Sequence, residues 1–172
     1  NGDGLDDIIH QRKKHLFPGE KDTAKLFTAS GSGTFRDQGE LHKLVTGANS
    51  PAHFYGHTVN IIVGDFNGDG KDDFIRQEKN GWDNDHFFTS HLYLNDGQGK
   101  FVNQGDIVLK LEKRYGLSHF RGTYTDLIVG DFNGDGKDDF IRQEKGAWGN
   151  NSTWNAQVYI NNGTGQKFTM KG

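Results

Sequence analysis

The sequence contains no cysteine, which excludes a disulfide framework and a thiolate metal site and leaves oxygen or histidine ligands for any inorganic stabilisation. Proline is almost as scarce, with two residues, and methionine occurs once. No apolar run approaches the roughly 18 residues that a membrane-spanning helix needs, so no membrane span is expected. Charge of one sign is also lacking: the formal net charge is -3, and with no basic cluster neither nucleic acid nor an anionic membrane surface is an expected partner. Context suggests no Ser-His pairing, and most clustered carboxylates fall in repeated loops, so the chain reads as a non-enzyme. It opens on Asn1 without an initiator methionine or signal sequence, from which a processed or trimmed N-terminus is expected.

Glycine, by contrast, is abundant at 25 residues. With so little proline and so few apolar residues, this favours many short strands joined by tight polar turns, hence an all-β protein. The tetrapeptide Asn-Gly-Asp-Gly begins at Asn1, Asn67 and Asn133, a constant step of 66 residues. Ile61 to Lys79 matches Leu127 to Lys145 at every position but the first, and Asn1 to Lys13 is a diverged copy. Outside this run Gly31, Gly97 and Gly163 keep the same register, as do Phe35 with Phe101 and His53 with His119. The two histidines recur at structural positions and read as packing residues rather than ligands. Such a repeat is one supersecondary unit that buries its faces against its neighbours.

In the middle copy four strands are predicted: Asn60 to Phe66, Asp73 to Glu78, His91 to Leu94 and Phe101 to Leu109. Consecutive apolar residues in the first two suit sheets covered on both faces. Stacked four-stranded antiparallel sheets of this kind are β-propeller-like blades. The chain, residues 1–172, reads as one repeat domain of about three blades: 1–50, lacking its first strand, then 58–111 and 124–172. Propellers usually close with about four to eight blades, so the uncovered ends are expected to meet copies of the same chain, as a ring or filament, or the remainder of a longer one.

Within Asp65 to Asp73 side-chain oxygens fall at loop positions one, three, five and nine: Asp65, Asn67, Asp69 and Asp73, with the carbonyl of Lys71 at position seven. Alternate residues of a tightly curled loop can converge on a hard cation that takes about six to eight oxygens, with glycine at position six making the turn. The second full set is Asp131, Asn133, Asp135, the Lys137 carbonyl and Asp139. A partial one, Asn1, Asp3, the Leu5 carbonyl and Asp7, lacks position one. Ca²⁺ at two complete sites and one incomplete site is therefore expected. An EF-hand would need glutamate at position twelve, where Arg76 and Arg142 stand.

The run DFNGDGKDDFIRQEK resembles the FG-GAP/VCBS class of repeats, found in integrin α-subunit propellers, fungal propeller lectins and large secreted bacterial proteins. The resemblance implies blades with calcium bound between their first two strands, and roles in adhesion, assembly or glycan binding. Millimolar extracellular calcium suits such loops, so secretion or display at the cell surface is expected. Trp82, Trp148 and Trp154 lie in the variable loops between second and third strands, where indoles either pack between blades or stack on sugar rings. Asn150, Asn151 and Asn162 head N-x-S/T sequons, permitting glycosylation in a eukaryotic source. A carbohydrate-binding propeller lectin and an accessory domain of a secreted hydrolase are the alternative functions.

Overall fold

The computed structural model describes residues 1–12, 23–46, 54, 59–79, 90–111, 120, 122, 125–145, 155–163, 165 and 167–171. They form three antiparallel sheets. The first holds β1 (Ile8–Arg12), β2 (Thr23–Ala29) and β3 (Phe35–Glu40). The second holds β4 (Val59–Gly64), β5 (Asp73–Glu78), β6 (Ser90–Asn95) and β7 (Phe101–Asp106). The third repeats it with β8 (Thr125–Gly130), β9 (Asp139–Glu144), β10 (Ala156–Asn161) and β11 (Phe168–Met170). Each sheet is a meander in chain order, so the expected all-β, propeller-like architecture is what the chain adopts.

Why the apolar runs are continuous is plain in β5, buried from Asp73 through Gln77. Successive strand side chains point to opposite faces. Phe74 joins the core between the first and second sheets, with Leu26, Leu41, Tyr93 and Phe101. Ile75 joins the core between the second and third, with Phe66, Leu92, Phe140 and Phe168. Two stacked rings recur at the same place in each seam: Phe74 on Tyr93 at 4.8 Å and Phe140 on Tyr159 at 4.9 Å between centroids. A backbone thread reinforces both seams, through parallel bridges from Val45 to Phe101 and from Leu111 to Phe168.

Two predicted strand ends move by more than one residue. β4 stops at Gly64, two residues short of Phe66, because Phe66 N–H turns back to the Gly64 carbonyl (3.1 Å) and to the Asp73 carboxylate (3.1 Å). β7 stops at Asp106, whose side chain accepts from Val108 N–H and starts a short 3-10 helix over Ile107–Lys110.

Candidate metal centres

The two complete candidate loops join the first two strands of their sheets, β4 to β5 and β8 to β9, the partial one leads into β1, and all are shaped by their own aspartates. Asp65 accepts from Gly68 N–H (2.7 Å) and Asp69 N–H (3.1 Å) through Oδ1, and from Gly70 N–H (2.8 Å) through Oδ2. Asp131 does the same with Gly134, Asp135 and Gly136, at 2.7, 3.1 and 2.8 Å. Asn67 and Asp69 then cap the N–H two residues on, at 2.8 and 3.0 Å, as Asn133 and Asp135 do at the same lengths. Gly70 and Gly136 turn with φ of 79° and 82°, a region that costs a side-chain-bearing residue strain.

The ninth position ties the loop to its sheet. Asp73 accepts from Phe66 N–H and, at 2.8 Å, from Asn95 N–H on β6; Asp139 accepts from Phe132 and Asn161 in the same way. Burial pushes the Asp73 carboxyl up to about 7, and the charges of Asp65 and Asp69 add to the push. Asp139 is raised by burial as well, with Asp135 and Asp131 contributing. Hydrogen bonds led by the one from Gly136 hold Asp131 below the usual carboxylate range. In the first loop Asn1 Oδ1 accepts from Asp3 N–H (3.0 Å) and Asp3 Oδ1 from Leu5 N–H (2.9 Å). Asp7 takes Ala29 N–H (3.0 Å) and the Asn1 ammonium (2.8 Å).

Among the described residues, no three Asp, Glu or His side chains are drawn together closely enough to hold a metal ion by themselves. The loop aspartates are turned onto backbone N–H groups, each occupying only part of its acceptor capacity. What the loops offer is a mixed oxygen set of three carboxylates, one amide and a carbonyl, whose like charges repel around Asp73. That donor chemistry fits a hard divalent cation.

Two positions have a role the sequence reading missed. Lys71 and Lys137 enter that reading only through their carbonyls, yet the Lys137 stem lies across Gly68 of the preceding loop, where an added Cβ would come within 2.8 Å. Lys71 lies across Gly2 in the same way, also at 2.8 Å. At position eight, Asp138 accepts from Asp65 N–H (2.8 Å) and donates its own N–H to the Asp65 carbonyl (2.8 Å). Asn161 Nδ2 donates a hydrogen bond to the Phe66 carbonyl (2.6 Å). The loop of one blade is therefore clamped by the loop of the next. The signal available in the sequence was the Lys-Asp-Asp triplet repeated at 71–73 and 137–139. Trp82, Trp148, Trp154, Asn150, Asn151, His53 and His119 lie outside the described residues. Asn162 is exposed just past β10.

Residues 1–76 match the FG-GAP-like repeat family. The matched span takes in the first two loops, and the FG-GAP-like loop recurs beyond it at 131–139. Among solved structures, one similar to this chain is described under specific recognition of non-reducing terminal N-acetylglucosamine by an Agrocybe aegerita lectin. It is 22% identical with a TM-score of 0.50, and the match covers 87% of this chain and 32% of that one. At that identity the likeness concerns the fold alone. No curated protein matches the chain.

Proposed function

We propose that this chain is an extracellular, non-catalytic structural and adhesive module, in which calcium at the FG-GAP-like loops rigidifies blades that stack on further blades. The observation that carries the reading is the clamp at the seam: Asp65 belongs to the candidate metal loop, and its backbone is held by Asp138 of the next loop. Asp65, Asn67, Asp69, Asp73 and the Lys71 carbonyl would hold one ion; Asp131, Asn133, Asp135, Asp139 and the Lys137 carbonyl would hold another. A bound cation supplies positive charge that offsets the crowded carboxylates and fixes the loop's shape. For a site with Kd about 0.1 mM in about 1 mM calcium the gain is about 1.4 kcal/mol, so two sites give about 3 kcal/mol. Against a typical stability of about 5–15 kcal/mol that is a large share.

The ends of the stack support association. Phe66 is fully buried, whereas its counterpart Phe132 is 46% exposed; Phe101 is 4% exposed and its counterpart Phe35 49%. Exposed apolar faces of this kind mark interaction surfaces. The test is native mass by light scattering in millimolar calcium and after excess EGTA: a calcium-dependent assembly is the predicted result. A folded monomer in both conditions sinks the stacking of copies.

Glycan binding is the second reading, supported by the fold likeness to the lectin and by the tryptophan-bearing loops. A glycan array probed in calcium tests it, and a blank array retires it. An accessory role beside a secreted hydrolase is the remaining alternative, which a parent gene encoding no catalytic domain would exclude.

A further inference from the structure

We propose that the loops at Asp65 to Asp73 and Asp131 to Asp139 take up calcium cooperatively, with Asp138 and Asn161 as the positioning residues that couple them across the seam. Neither residue belongs to the oxygen set of a loop. The inference rests on the calcium reading above and adds to it the regulation of the same two sites.

Asp138 stands between two donors of its own loop, the Lys137 carbonyl and Asp139. It grips Asp65, the first donor of the preceding loop, through two hydrogen bonds of opposite sense. Asp65 N–H donates to Asp138 Oδ2 (2.8 Å), and Asp138 N–H donates to the Asp65 carbonyl (2.8 Å). Asn161 makes a second tie. Its backbone N–H donates to Asp139 Oδ1 (2.8 Å), and its Nδ2 donates to the Phe66 carbonyl (2.6 Å) and the Asp138 carbonyl (3.1 Å). Asn161 is 1% exposed, so water cannot replace these bonds unless the seam opens. Lys137 makes a third tie, laying its stem across Gly68, which sits between the donors Asn67 and Asp69, while its ammonium lies 3.7 Å from the Asp135 carboxylate. Each tie joins a donor of one loop, or its immediate neighbour in the chain, to the other loop.

The sign of the coupling follows from order. Filling the third loop fixes Lys137, Asp138 and Asp139, and through them the backbone of Asp65 and Phe66. The second loop then has less freedom to lose when its own donors converge, so its affinity rises. Linkage requires the same gain in the reverse direction. Charge opposes the effect, because an ion in one loop lessens the pull of its carboxylates on an ion in the other. Asp69, Asp131, Asn133 and Asp135 are exposed, however, and at about 0.15 M salt the Debye length is about 8 Å. Screening mutes the opposition and leaves the hydrogen-bonded ties in place.

Calorimetric titration of the full chain with calcium tests the coupling. Asp131→Ala leaves the second loop's site alone, and Asp65→Ala leaves the third's, since the clamp uses only the backbone of Asp65. The product of the two dissociation constants from these variants should exceed the product of the parent's two stepwise constants about tenfold. On an Asp138→Ala background the two products should agree, with two ions still bound. Asp138→Asn removes the same charge but keeps an oxygen for the Asp65 N–H, and should retain most of the excess. Raising salt to about 0.5 M should preserve or enlarge it. Two ions with equal products in the parent overturn the coupling alone, and so does an excess abolished by salt. An excess that survives Asp138→Ala, or that Asp138→Asn destroys, overturns the role given to Asp138; the Asn variant decides this even where the Ala variant does not fold. No calcium uptake by the parent overturns the calcium reading and the coupling with it.

Discussion

Gly64 and Gly130 hold the same place in successive repeats, each ending the first strand of its sheet. A methyl group added at Gly64 would stand 2.6 Å from the Asp138 carboxylate and 2.6 Å from Val129 Cγ1, whereas at Gly130 the nearest atoms are those of Phe132 at 3.6 Å. Gly64→Ala must therefore push the third blade off the second, at a cost of about 1–3 kcal/mol. Gly130→Ala faces an open surface and should stay within about 0.5 kcal/mol of the parent. Thermal unfolding of the two variants checks the contrast, and equal effects would mean that the seam is not the tight contact described. At this scale the sequence was legible only in part. The spacing of Asp65, Asn67, Asp69 and Asp73 announced a curled loop of oxygen donors. That the same Lys-Asp pair also grips the neighbouring loop depends on two repeats meeting face to face, which no spacing within one repeat encodes.

Among the elements, strand order and number in the second sheet were readable because glycine turns separate short apolar runs. Strand ends were less so. Phe66 reads as strand by composition, but the Asp73 carboxylate captures its N–H and draws it into the loop. Leu109 likewise continues an apolar run, yet the Asp106 cap on Val108 N–H diverts the chain into a 3-10 helix. Such captures by short polar side chains compete with the sheet ladder and leave little trace in hydrophobic pattern. Trp82, Trp148 and Trp154 stand in variable loops outside the described residues, so they bear on the glycan reading through the sequence alone.

For the whole molecule, the two ends of the stack are complementary halves of a seam that the interior builds twice. One end shows Ile8 and Phe35, counterparts of the buried Phe74 and Phe101; the other shows Ile128 and Phe132, the latter the counterpart of the buried Phe66. On the stacking proposed above, such ends would join head to tail, closing into a ring or running on as a filament according to the rotation between units. The repeat period carried that much in the sequence, while the identity of whatever meets each end was not encoded there. The central claim is that the loops at Asp65 to Asp73 and Asp131 to Asp139 bind calcium, and isothermal titration calorimetry on the intact chain tests it most directly. The account predicts two ions per chain, one in either Asp65→Ala or Asp131→Ala, and none in the double variant. Absence of calcium uptake by the parent chain, or uptake unchanged in the double variant, would contradict it.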